Sequence, residues 1–132
     1  MKSSPITLRF FKFGIVGVSA LAIESLIIFT LKYAGISPKI SRLISLPIAI
    51  LYTWYLNRNF TFKNKDRNKI KQLSIYYFFM ICGVIINYSV YLFILRILGE
   101  ETVSFLIAIS FGSLSSMTFN FLTSNYIIFK EK

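Results

Sequence analysis

Glu24, Asn87 and Asn120 are hydrophilic side chains set inside runs that are otherwise apolar, and they raise the first chemical question. A carboxylate and two carboxamides can bond hydroxyl groups or one another. A catalyst needs more. The chain has no histidine, the commonest general base and metal ligand. Its one cysteine, Cys82, lies in an apolar run and reads as a small hydrophobe. No phosphate-cradling glycine loop, metal-ligand spacing or nucleophile–base pair occurs. The expectation is a protein that is not an enzyme and uses no cofactor or metal. Recognition remains, and for phosphate the candidates are Arg58, whose guanidinium offers a fork, and Lys63, a point charge.

The elements that must hold these groups are long and apolar. At 132 residues and 55% hydrophobic, a single domain this small has too little interior to hide such a surface from water. Four segments pass the length test of roughly 20 residues for a membrane helix, at about Phe10–Leu31, Ile40–Leu56, Ile75–Leu98 and Val103–Leu122. The first is too long for a signal peptide and reads as a retained span. The second is the shortest and contains Pro47, which can bend a membrane helix. The plan is an all-α membrane protein, one transmembrane domain over 1–132, with repeat 1 at about 9–63, a linker at 64–74 and repeat 2 at about 75–130.

Charge sets the expected direction. Lys2, Arg9, Lys12, Arg58, Lys63, Lys65, Arg67, Lys69, Lys71, Lys130 and Lys132 fall on one side, and only Lys32, Lys39, Arg42 and Arg96 on the other. Eleven against four places both termini and the linker in the cytoplasm. The net charge of +10 serves the membrane surface, since the basic linker lacks interleaved aromatics and suits nucleic acid poorly.

Glu24 stands fourteen residues into the first span. A carboxylate near a helix centre costs roughly 3 kcal/mol on insertion scales, while the thirteen Leu, Ile, Val and Phe residues of that span return about 4 to 8 kcal/mol. The helix inserts regardless, so the charge is an extravagance that calls for a partner or a task. Gly17, Ala20 and Glu24 share a face and point the carboxylate into a helix contact.

The halves repeat. Asn57–Lys65 (NRNFTFKNK) reappears altered as Ser124–Lys132 (SNYIIFKEK), and Phe13–Gly17 lies over Phe79–Gly83 at an offset of 66. Small or polar residues recur every fourth position in each second helix: Ser45, Ala49, Thr53 and Asn57, then Gly112, Ser116, Asn120 and Ser124. Such stripes let membrane helices approach closely and bond. The closing signature suits the headgroup layer, where aromatic rings lie and lysines snorkel. Two parallel hairpin repeats follow.

Phe10–Gly17, the acidic Glu24, Asn57–Phe62, Asn120–Leu122 and Tyr126–Phe129, in that order and over about Arg9 to Lys130, resemble the GtrA-like family of small four-helix membrane proteins of cell-surface polysaccharide synthesis. The resemblance implies flipping of a polyprenyl-phosphate-linked sugar across the plasma membrane, or assistance to a glycosyltransferase that uses it. Aspartate is usual where Glu24 stands, Thr53 replaces a frequent asparagine, and Ser124-Asn125 replace Asn-Arg. On this reading Glu24, Thr53, Asn57, Arg58, Lys63, Asn87 and Asn120 bind the substrate. Its partners are that lipid, the surrounding membrane lipids, a glycosyltransferase and further copies of the chain. A non-transporting anchor, docking the glycosyltransferase through Lys65, Arg67 and Lys69, is the alternative. A proton-coupled exporter with a glutamate in its first span is a third plan; such proteins insert both ways, which the charge bias disfavours.

Overall fold

A computed structural model describes residues 4–64 and 68–130. Lys2, Lys65, Arg67 and Lys132 of the charge count lie outside the described residues. Four long helices follow in order: α1 (Ile6–Tyr33), α2 (Pro38–Leu56), α3 (Lys69–Leu98) and α4 (Thr102–Thr123), with no strand among the described residues. Two compact units divide the chain, Met1–Arg67 and Asn68–Lys132, each built on one helical hairpin.

Local chemistry explains the boundaries. α1 stops where Gly35, at φ 81°, takes the left-handed conformation glycine allows, and the Ile36 N–H closes back on the Leu31 carbonyl at 3.0 Å. α2 then starts at once: Ser37 caps it by accepting from the Ile40 N–H at 3.4 Å, and Pro38 occupies the first helical position. Asn68 caps α3 by accepting from the Lys71 N–H at 3.1 Å. That cap moves the start of α3 six residues ahead of the expected Ile75, so Lys69 and Lys71 belong to the helix and the expected linker at 64–74 is shorter.

α1 has 28 residues and α3 has 30, lengths of about 42 and 45 Å at 1.5 Å per residue. Both exceed a hydrocarbon core of about 30 Å and reach into the headgroups. Leu21, Leu26, Phe29, Val84, Ile85 and Phe93 are exposed along them, which suits helices solvated by lipid. Three helical stretches are long and apolar enough to cross a membrane: Ile6–Tyr33, Lys69–Leu98 and Thr102–Ile128. α2 falls outside that set in hydropathy, not in length, because Lys39, Arg42, its serines and Pro47 dilute its apolar residues.

Each hairpin packs small side chains of its second helix against a face of mixed size on its first. In the first, Phe13, Val16, Ala20 and Glu24 of α1 are buried, as are Ser41, Ser45 and Ala49 of α2. Gly17, expected on that face, is exposed with open space where a Cβ would stand; Val16 holds the place instead. In the second hairpin Tyr76, Met80 and Gly83 are buried on α3, and Ser104, Ala108 and Gly112 on α4.

The internal geometry of the two hairpins also corrects the register of the repeat. Phe13 packs on Phe62 as Tyr76 packs on Phe129, with ring centroids 6.3 and 5.9 Å apart. Glu24 meets Ser45 as Asn87 meets Gly112. The first helices therefore correspond at an offset of 63, not 66, and the second helices at 67. The second hairpin carries about one more turn at its tip, and an ungapped overlay of apolar residues cannot sense where that turn enters.

Candidate functional site

The repeated signature is a change of helix type. Beyond Leu56 the backbone widens into a π turn, Asn57–Thr61, and beyond Thr123 into another, Ser124–Ile128. Each closes identically: the Phe62 N–H donates to the Asn57 carbonyl and the Phe129 N–H to the Ser124 carbonyl, both at 2.8 Å. π turns recur at functional sites because they redirect side chains without ending a helix. Here the first one buries Asn57, Arg58 and Thr61 together, with the Thr61 hydroxyl donating to Asn57 Oδ1 at 2.8 Å.

Arg58 lies over the Trp54 ring at 5.8 Å. Trp54 is buried, and its Nε1 has no hydrogen-bond partner among the described residues. Lys63 follows at φ 49°, in the left-handed region, and the Asn64 N–H reaches back to the Arg58 carbonyl at 2.9 Å. Lys12 stands over Phe60 at 4.8 Å. Three cations therefore gather at this end of the first hairpin, two of them over aromatic rings.

Halfway along, the Tyr52 hydroxyl donates to Ser19 Oγ at 3.2 Å, and Ser19 in turn donates to the Val16 carbonyl at 2.7 Å. At the far end Glu24 is buried and accepts from Arg42 Nη1 at 2.5 Å and from Ser45 Oγ at 3.4 Å. The charge that seemed extravagant has its partner.

In the second hairpin Asn87 Nδ2 donates to Ser116 Oγ at 3.4 Å. Asn120 fits only because residue 83 is glycine: a Cβ there would stand 2.3 Å from Asn120 Oδ1. That oxygen is buried without a hydrogen-bond partner among the described residues. At the positions of Trp54 and Arg58 this hairpin carries Phe121 and Asn125, so its π turn repeats the geometry without the cation.

A family model described as GtrA/DPMS, transmembrane domain, matches residues 12–129, from the basic start of α1 to the phenylalanine that closes the second π turn. The chain belongs to the GtrA/DPMS family. No curated protein matches it. Membership places it in membrane-associated glycan synthesis, in a multi-pass membrane domain.

Within this GtrA/DPMS chain the first hairpin holds Glu24, Thr53, Asn57, Arg58 and Lys63, and the second holds Asn87 and Asn120. Asn57, Arg58 and Lys63 gather around one π turn. Thr53 is half-buried and returns its hydroxyl to the Ile50 carbonyl at 2.9 Å. Glu24 stands apart from that cluster, at the opposite end of the same hairpin. Sequence reasoning passed over Arg42, Trp54 and the Ser19–Tyr52 rung. Arg42 was signalled by being an arginine inside the shortest apolar run, but a charge count treats every flanking cation alike. For Ser19 and Tyr52 there was no signal, since each is an ordinary membrane-helix residue until the other faces it.

Proposed function

We propose that this GtrA/DPMS-family protein carries a polyprenyl-phosphate-linked sugar from one leaflet of the plasma membrane to the other. α2 is read as the fourth span and both termini as cytoplasmic. With its π turn α2 forms a continuous helical stretch from Pro38 to Thr61, about 36 Å at 1.5 Å per residue. One observation carries the reading. Polar groups run the length of the α1–α2 hairpin, from Arg58 through Ser19 and Tyr52 to Glu24 and Arg42. A sugar entering hydrocarbon loses its water, and each unmet hydroxyl costs several kcal/mol. Such a line of donors and acceptors lowers that barrier stepwise. Arg58 and Lys63 capture the phosphate from the cytoplasmic leaflet, Asn57 and Thr53 complete the polar surface that the first hairpin offers to the sugar, and Asn87 and Asn120 are the carboxamides that the second hairpin offers.

Translocation of a fluorescent polyprenyl-phosphate-sugar in reconstituted phosphatidylcholine vesicles tests this. Arg58→Gln and Lys63→Gln should each slow it, and the pair should abolish it. Unchanged transport in the double variant would sink the reading.

The anchor reading draws on a separate observation. Lys69, Ile70 and Lys71 are exposed in the first turn of α3, and Ile70 is 81% exposed. If that turn docks a glycosyltransferase, Ile70→Ser with Lys69→Ala should abolish its capture and leave lipid transport intact.

A further inference from the structure

We propose that Arg42 is a second phosphate-binding residue, at the end of α2 opposite Arg58, and that Glu24 is the positioning residue that holds it. The proposal rests on the reading that the substrate is a lipid phosphate. Glu24 presents a side chain only 9% exposed and engages Arg42 through Nη1 alone. The Arg42 side chain is 60% exposed. A guanidinium has five N–H donors in a planar fork, so one edge fixed by a carboxylate leaves the other edge free for a second anion. Ser45 Oγ steadies the carboxylate at 3.4 Å.

A tether between helices is the simpler account of this pair, and the second hairpin argues against it. At the positions of Glu24 and Arg42 that hairpin has Asn87 and Ile109, and it closes through Asn87–Ser116 with no charge. Packing alone does not require the pair. Depth supplies the other half. Arg42 and Arg58 are separated by about 24 Å of helix at 1.5 Å per residue, against a hydrocarbon core of about 30 Å. The two arginines therefore stand at different depths, and the exposed Arg42 side chain can snorkel to the headgroup layer opposite Arg58. Exposed Lys39, three residues before Arg42 on the same helix, adds a point charge at the same level. A phosphate that leaves Arg58 needs such a cation at its destination, or its desolvated charge has nowhere to go.

The test uses the full chain in detergent, with radiolabelled farnesyl phosphate as probe and the fluorescence of Trp54, the only tryptophan, as the reporter beside Arg58. Wild type should bind two equivalents. Arg42→Gln should weaken one of them by about tenfold, the effect of losing a charge-assisted contact, while the Trp54 response is kept. Arg42→Lys, which retains charge but not the fork, should fall between. Glu24→Gln should weaken the same equivalent, and the swap Glu24→Arg with Arg42→Glu should remake the ion pair without remaking the site. Equal binding by wild type and Arg42→Gln, with circular dichroism showing both folded, overturns the proposal. So does restoration of the second equivalent by the swap, which would leave the pair as a tether. Displacement of the Arg42-dependent equivalent by glucose 1-phosphate at lower concentrations than unlabelled farnesyl phosphate requires would assign the site to soluble esters and overturn the lipid assignment. Failure of the capture step looks different: Trp54 would not respond in wild type, while the Arg42-dependent equivalent remained.

Discussion

Gly112→Ala adds a single methyl group on α4 where the Asn87 backbone of α3 leaves no room for one. Its Cβ would lie 2.7 Å from the Asn87 carbonyl oxygen and 3.0 Å from Asn87 Oδ1. A carbonyl oxygen in mid-helix cannot rotate away, so α3 and α4 must separate by about 0.7 Å to restore ordinary contact at 3.4 Å. The Asn87–Ser116 bond, already 3.4 Å long, is then out of range. Overpacking of this kind costs about 1 to 3 kcal/mol. Replacing glycine by alanine also favours the helix, by up to about 1 kcal/mol, and this gain must be subtracted. Gly17→Ala supplies it directly, since nothing lies within 4 Å of a Cβ there. Reversible unfolding of the two variants in mixed micelles, followed by helical circular dichroism, should separate them by about 1 to 3 kcal/mol. Gly83→Ala sharpens the test. Its clash, at 2.3 Å, is with the Asn120 side chain. Adding Asn120→Ala should relieve Gly83→Ala, whereas adding Asn87→Ala should not relieve Gly112→Ala, because the backbone oxygen stays. Equal stability of Gly112→Ala and Gly17→Ala, or rescue of Gly112→Ala by Asn87→Ala, would refute the close approach on which this rests.

Lys63→Gly should stabilise the chain by about 1 kcal/mol, the cost of holding a side-chain-bearing residue in the left-handed region, while lowering farnesyl phosphate binding at the Trp54 end. Thr61→Val removes the buried bond to Asn57 Oδ1 and should cost about 1 kcal/mol, read in the same unfolding assay. Phe129→Ala and Phe62→Ala each delete a buried ring that locks a π turn onto its hairpin. Each should cost about 3 kcal/mol or more, with equal losses expected if the two closures are true equivalents. Trp54→Phe keeps the ring beneath Arg58 and should preserve transport while abolishing the fluorescence response.

Much of the architecture was legible because lipid imposes one rule: backbone groups must be satisfied within the helix, so long apolar runs between polar turns can only be helices. Of the two expected stripes, Ser45, Ala49 and Asn57 and then Gly112 and Ser124 are buried, while Thr53, Ser116 and Asn120 are half-buried at the edge of the contact; small residues every fourth position mark where membrane helices touch. The repeated closing motif was visible too, but its meaning was not. A π turn differs from an α turn by one residue in its bonding, and no residue type announces that shift. Register was misread for a related reason: Phe-rich segments match at several offsets, and only the ring contacts of Phe13 with Phe62 and Tyr76 with Phe129 choose among them.

From sequence alone come the helical class, the paired hairpins, the family and the candidacy of Glu24 and Arg58, because these depend on hydropathy, charge and order along the chain. Tertiary structure decided who faces whom. Arg42 and Glu24 are 18 positions apart, Ser19 and Tyr52 are 33 apart, and such pairings are set by how two helices rotate against each other. That rotation is the summed outcome of many small contacts, and no local pattern encodes it.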